Sequence, residues 1–368
     1  MRTLLCATAI LALIPSPLHT EAPNKTQLTI VGEDFHINGS PTYEGRHWKG
    51  NRIEGLLLNS RMVQATFDDL NPETVARWAY NDTRQWDAER NVKEFIAAIP
   101  SWKSHGLLAV TVNFQGGSPE GYSNKQTWIA GAFESDGSLR PAFADRMRRV
   151  LDALDENGMV AIVGYFYFGQ DQHLADETAV QRATQEATQW LLNGGWGNVL
   201  VEVNNETNIQ AYDHDILRPD RVHELIEQVR SIEQDGRRLL VGTSYGGGAI
   251  PKPNVVRASN FLLIHGNGVK EPARITEMIK QTRAVEGYKP MPILFNEDDH
   301  EAFGQPDNNF TRALADHVSW GWFDYRRKGE PLTEGYQSPP VNWSIASERK
   351  KSFFDFLKTV TGSSQPAL

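Results

Sequence analysis

Eight short, nearly continuous apolar runs, most of them separated by segments of helical periodicity, constrain the fold of this chain more than any other feature. They fall at residues 55–58, 107–112, 159–165, 199–203, 239–243, 261–264, 292–295 and, less regularly, 318–323. Short apolar runs without strict alternation are the pattern of strands buried on both faces of a parallel sheet. Between them, Val222, Leu225, Ile226, Val229 and Ile232 recur on one helical face. Met147, Val150, Leu151 and Leu154 repeat the pattern, and Asn157-Gly158 supplies a helix stop before the third run. Residues 274–285 and 348–360 are also predicted helical, the latter with Phe353, Phe354 and Leu357 on one side.

Eight strands alternating with helices predict an α/β fold, a (β/α)8 (TIM) barrel with loop insertions. An open doubly wound sheet is the alternative. It would want a glycine-rich phosphate turn after its first strand, where this chain has Leu58-Asn59-Ser60-Arg61. Ahead of the first run, residues 27–37 with Gly32-Glu33, followed by Asn38-Gly39, predict a short β-hairpin.

With 368 residues and 40% hydrophobic content the chain can bury one large core, and no linker, repeat or composition shift divides it. The expected organisation is a signal peptide over residues 1–22 and one barrel domain over 23–368. A basic Met1-Arg2, an apolar stretch over 3–14 and a small-residue exit ending at Ala22 carry the signal-peptide reading. The stretch is too short for a membrane span; a buried N-terminal helix or strand is the alternative. The single cysteine, Cys6, lies inside it. The mature chain would then have no disulfide, no thiolate chemistry and no cysteine metal site, which points to a periplasmic or secreted bacterial protein. A formal net charge of -9 without any Lys/Arg-rich block speaks against nucleic-acid and anionic-membrane partners.

In a barrel of this kind, chemistry gathers at the C-terminal strand ends. The polar residues there include Asn59 and Arg61, Asn113 and Gln115, Tyr165 and Tyr167, Asn205 and Glu206. They continue with Thr243 and Tyr245, His265 and Asn267, Asn296 and Glu297, and the aromatics Trp320 and Trp322. Carboxylates, amides and aromatics suit a sugar, which offers hydroxyls to amides and a ring face to aromatic side chains. Two of the runs end in the same dipeptide, Asn205-Glu206 after the fourth and Asn296-Glu297 after the seventh. Two carboxylates in one pocket are what glycosidic bond cleavage needs, one as proton donor and one as nucleophile or base. Like charges that close push one pKa upward, and the raised group becomes the acid.

With Asn-Glu after strand four and Glu after strand seven, the chain resembles the glycoside hydrolases of clan A, retaining (β/α)8 enzymes. The resemblance implies Glu206 as general acid/base and Glu297 as nucleophile, with Asn205 on the sugar 2-hydroxyl and His265 near the nucleophile. It also implies Trp320 or Trp322 as a sugar-stacking aromatic. The expected substrate-binding set is Asn205, His265, Tyr245, Trp320, Trp322, Asn113, Arg61 and Tyr167, with no cofactor, no metal and a carbohydrate as partner. Loops 116–131 and 211–217 are expected to shape subsites, with Tyr122, Trp128 and Tyr212 as further stacking candidates. Glu297-Asp298-Asp299-His300 has metal-ligating residue types, but consecutive side chains diverge. A metal-dependent barrel hydrolase and an inactive carbohydrate-binding barrel are the competing readings.

Overall fold

The computed structural model describes residues 26–123 and 125–363; the segment read as a signal peptide lies outside them. All eight expected strands are present: β1 (Asn59–Arg61), β2 (Ala109–Asn113), β3 (Val160–Phe166), β4 (Val199–Asn204), β5 (Leu240–Gly242), β6 (Leu262–His265), β7 (Ile293–Glu297) and β8 (Gly321–Trp322). Each is followed by a helix: α1 (Ala88–Ser104), α2 (Pro141–Glu156), α3 (Glu177–Asn193), α4 (Val222–Ser231), α5 (Pro253–Ala258), α6 (Ala273–Arg283), α7 (Asn309–Ala315) and α8 (Glu348–Thr361). The first strand begins later than its apolar run, because Leu56 to Leu58 lead into the ladder and polar Asn59, Ser60 and Arg61 make it.

The strands are parallel. One sheet runs β5-β4-β3-β2-β1-β8, and β6 pairs with β7. A bridge between Leu294 and Ser319 joins β7 to the start of β8. At the remaining junction Asn260 N–H donates to the Val241 carbonyl (2.9 Å), and Val241 N–H donates to Asn260 Oδ1 (3.1 Å), with no ladder between β5 and β6. The eight strands thus follow one another in circular order with a seam between β5 and β6.

Strand parity divides the core in two. Ala109, Ile162, Leu200, Leu263 and Leu294 fill the barrel interior. Val110, Val112, Val201, Ile264 and Phe295 face the helices instead. The N-terminal hairpin, Leu28–Val31 with Asp34–Ile37, gains a third strand at Ser40–Pro41 through the Asn38-Gly39 turn, where both residues have positive φ. It plugs the bottom of the barrel. Leu28 N–H donates to the Gly197 carbonyl, Phe35 N–H to that of Gly55 (both 2.8 Å), and Leu28 and Phe35 join the interior cluster. Truncating fully buried Phe35 to Ala would cost about 3–5 kcal/mol.

The helices are amphipathic. Four have side-chain N-caps: Asp87 accepts from Arg90 N–H, Asp176 from Ala179 N–H, Asn308 from Thr311 N–H and Ser347 from Lys350 N–H. Among the described residues, no helix is long and apolar enough to cross a membrane.

Candidate active site

Above its apolar layers the barrel interior turns polar. Arg61 of β1 is the hub. Its Nε lies 2.6 Å from Glu297 Oε2, its Nη1 3.4 Å from Glu202 Oε2, and its Nη2 donates to Asn205 Oδ1 at 2.7 Å. All four side chains are buried. Charges removed from water this far persist only when paired and hydrogen-bonded. Glu202 is a site residue that the strand-end reading missed, because it lies inside an apolar run. A carboxylate between Val201 and Val203 in a strand buried on both faces is itself the signal, since it must find a partner.

Glu206 and Glu297 are brought together. Glu206 Oε1 lies 3.0 Å from His265 Nδ1, and Glu297 Oε2 lies 3.6 Å from the same nitrogen. Ligating atoms of the three side chains are all within 4.8 Å of one another. Asn267 Nδ2 donates to Glu297 Oε1 at 2.5 Å.

The two glutamates reach this point by different backbone devices. Glu206 adopts a left-handed conformation (φ 51°), held by its N–H donating to Ser244 Oγ at 2.9 Å. Gly247 stands beside it, and a Cβ there would collide with the Asn267 carbonyl, so the backbone approach depends on glycine. Glu297 sits at a β-bulge. His265 pairs with Glu297 although Ile264 pairs with Phe295, which leaves Asn296 as an extra residue. The bulge lets Asn296 turn inward, where its Nδ2 donates to Glu202 Oε1 at 3.2 Å, while Glu297 points to the mouth.

Electrostatics separate the pair. Burial acts to raise the Glu206 carboxyl, but the hydrogen bond and charge of His265, with Arg61, outweigh it and hold it below its ordinary value. Burial lifts Glu297 above its ordinary value, against the pull of Arg61 and His265. His265 would be lowered by burial, yet the flanking carboxylates raise it. Of the two carboxyls Glu206, the acid/base that the resemblance implies, is thus the lowered one, and the imidazole beside it is raised.

A cavity of about 560 Å³ opens over these groups, lined by Tyr167, Phe168, Gly246, Gly247, Asn267 and Phe323 together with both glutamates. Tyr167 is thus at the cleft, its hydroxyl donating to Ser118 Oγ at 3.3 Å. Asn113 lies deeper in the barrel, against Gly164, with neither amide atom hydrogen-bonded.

Three expected substrate contacts face elsewhere. Trp320 is fully buried behind the barrel, stacked on Phe310 (ring centroids 4.6 Å apart), with Nε1 donating to Asp298 Oδ2 at 2.9 Å. Trp322 packs on Phe353 and Phe303. Alternation on β8 sends 320 and 322 to the helix side, so Gly321 faces Asn59 inside the barrel and Phe323 reaches the cleft. Tyr245 is buried, and its hydroxyl accepts from Lys252 N–H at 3.2 Å.

Two of the stacking candidates also turn away. Trp128 packs edge-on against Trp78, and Tyr212 donates to the Asn205 carbonyl, bracing the strand end. Only Tyr122 lines the cavity. The run 297–300 diverges as expected: Asp298 turns to Trp320 and Asn309, while Asp299 accepts from Tyr122 and Gly268.

No protein-family model matches the chain, and no curated protein matches it. Solved structures do. A Bacteroides vulgatus protein provisionally described as a glycoside hydrolase superposes with TM-score 0.55 at 16% identity; the match covers 92% of this chain and 61% of that one. An endo-1,4-β-mannanase from Rhizomucor miehei gives 0.56 at 10% identity, covering 92% and 98%. A broad specificity endoglucanase from Bacteroides salanitronis gives 0.53 at 11%, covering 83% and 93%. The fold is the (β/α)8 architecture used by glycoside hydrolases of family 5 in clan A.

Proposed function

We propose that this chain is a retaining glycoside hydrolase acting on a neutral poly- or oligosaccharide. The single observation that carries the reading is the meeting of Glu206 and Glu297, from β4 and β7, with carboxylate oxygens within 4.8 Å. Retaining enzymes hold their carboxyls roughly 5–5.5 Å apart, whereas inverting ones need roughly 6.5–9.5 Å to seat a water.

Glu297 is the nucleophile. Arg61 and Asn267 favour its ionised form and orient its two oxygens, one of which attacks the anomeric carbon through its remaining lone pair as the glycosidic bond breaks. Glu206 hands the leaving oxygen a proton from the pool it shares with His265 across 3.0 Å. It then takes a proton from the water that cleaves the glycosyl-enzyme, returning the pair to its starting state. Asn205 presents a free Nδ2 donor for a sugar hydroxyl while its Oδ1 is held by Arg61.

The same trio has ligand types that suit a cation. The Arg61 guanidinium 2.6 Å from Glu297 already supplies the positive charge, which favours acid-base chemistry. Structural neighbours described as mannanases and endoglucanases make β-1,4-linked mannans and glucans the first substrates to try. Residues 1–22 are read as an export signal, placing the enzyme in the periplasm or medium; the N-terminal sequence of the mature protein tests that.

The deciding experiment is NMR of the first-formed anomer on a polysaccharide panel, with azide rescue of two variants. Glu297→Ala should yield the inverted glycosyl azide and Glu206→Ala the retained one. First products of inverted configuration would sink the proposal, and the opposite azide pattern would exchange the two roles.

A further inference from the structure

We infer that the cleft is blocked beside Glu297 by a bridge between Tyr122 and Asp299, so that the enzyme works from a chain end and does not cut within a chain. The inference rests on the glycosidase reading above and adds to it the mode of attack.

After β2 the chain crosses the barrel mouth before reaching α2. Gln64 Nε2 donates to the Gly117 carbonyl (3.1 Å) and Gln337 Nε2 to the Ser118 carbonyl (3.2 Å), so the segment lies over β1 and β8. Gly121 (φ 86°) packs so tightly on the Tyr325 ring that a side chain has no room. The Tyr122 hydroxyl then donates to Asp299 Oδ2 at 2.8 Å, and Asp299 Oδ1 accepts from Gly268 N–H at 2.9 Å. The Tyr122 ring packs edge-on against Phe323 and Tyr325, with centroids 5.7 and 5.3 Å away.

Loops following β2, β6, β7 and β8 therefore meet at one post, two residues from the nucleophile. A polysaccharide lying through the site would need an open path on both sides of the reacting sugar. Here the Glu297 side carries a wall, and the free volume of about 560 Å³ is bounded by Tyr122, Asp299 and Phe323 on that side and by Phe168, Ile209 and Gly246 elsewhere. That volume is the size of a pocket for a small ligand.

The test follows viscosity and product sizes together, on soluble β-1,4-mannan, β-1,4-glucan and their pentasaccharides, for wild type, Tyr122→Phe and Tyr122→Ala. Wild type should release one short product while viscosity falls slowly. Tyr122→Ala should raise the share of internal cuts about tenfold, the factor that 1.4 kcal/mol of binding represents, and Tyr122→Phe, which loses only the hydrogen bond, should fall between. Thermal melts show whether the variants are folded. Rapid viscosity loss with wild type overturns the inference but leaves the glycosidase reading intact. So does an unchanged product pattern in folded Tyr122→Ala or, where that variant does not fold, in Tyr122→Phe. Absence of hydrolysis of every glycan by wild type, in these and a wider panel, overturns the glycosidase reading and this inference with it.

Discussion

The ends of β4 and β7 carry the same dipeptide and do opposite things with it. At β4 the backbone flips to the left-handed region, Asn205 turns to Arg61, and Glu206 faces the cleft with His265 as its partner. At β7 a bulge drops Asn296 inward to Glu202 and leaves Glu297 buried between a guanidinium and an amide. One carboxylate is placed beside a titratable base and the other beside a permanent charge. Under the proposed mechanism, identical residue types would thus serve as proton carrier and nucleophile through what the neighbouring strands supply.

Removal of each carboxylate breaks that comparison most sharply. Glu297→Gln should cost about a millionfold in kcat, the scale seen when a covalent nucleophile is lost. Glu206→Gln should cost about 10²–10⁴-fold with a poor leaving group, and far less with an activated aryl glycoside whose departure needs no proton. Equal losses at the two positions on both substrates would erase the distinction.

Arg61→Met probes the β7 side. It leaves Glu202 and Glu297 buried without their cation and should lower unfolding stability by about 3–5 kcal/mol, measured by urea titration. A loss below 1 kcal/mol, on the order of an exposed ion pair, would show that the charges had found other partners.

The pH profile sharpens the comparison without mutation. Glu297 must be ionised, so the acid limb should lie above its ordinary 4.5. The proton on His265 must be present, so the alkaline limb should lie above the ordinary 6.5. Stability follows the same signs. The raised His265 contributes below 6.5 and loses its contribution as pH climbs through the folded value. The lowered Glu206 contributes above 4.5 and fades as pH falls. In His265→Asn the alkaline loss should vanish; a wild-type stability that rises from pH 6 to 9 relative to this variant would contradict the pairing.

The smallest effect is expected at β8. Trp322→Phe should leave KM unchanged and cost less than the roughly 3–5 kcal/mol of truncating a buried Trp to Ala, because its Nε1 has no hydrogen-bond partner and its ring packs on Phe303, Phe353 and Tyr336. A large rise in KM would put this residue back in the cleft.

Much of the architecture was written in the apolar runs, since strands buried on both faces need little else. Helix α3 escaped because its inward face is made of Val180, Ala183, Thr184, Ala187 and Thr188 until Leu191 and Leu192 in its last turn, and small and half-polar residues barely mark a period. Pro100 inside α1 similarly obscured a face formed by Val92, Phe95, Ile99 and Trp102. At the mouth, which residues end a strand is readable, but the direction in which they point depends on parity. One residue of error exchanges Phe323 for Trp322, and the turn past β5 exchanges Gly246 for Tyr245. The bulge at Asn296 and the left-handed Glu206 have no spacing signature, and neither does a bond between residues as distant as Tyr122 and Asp299.

The seam between β5 and β6 gives the site a second duty. Where the backbone ladder is missing, His265 of β6 reaches over to Glu206 beyond β4, and Gly248 N–H donates to the His265 carbonyl at 3.0 Å. The side chains that would handle the sugar therefore also staple the barrel rim shut at its weakest joint. Amides around Val241 and Asn260 should be early to exchange with deuterium, earlier still without His265, and slower once a ligand fills the cleft.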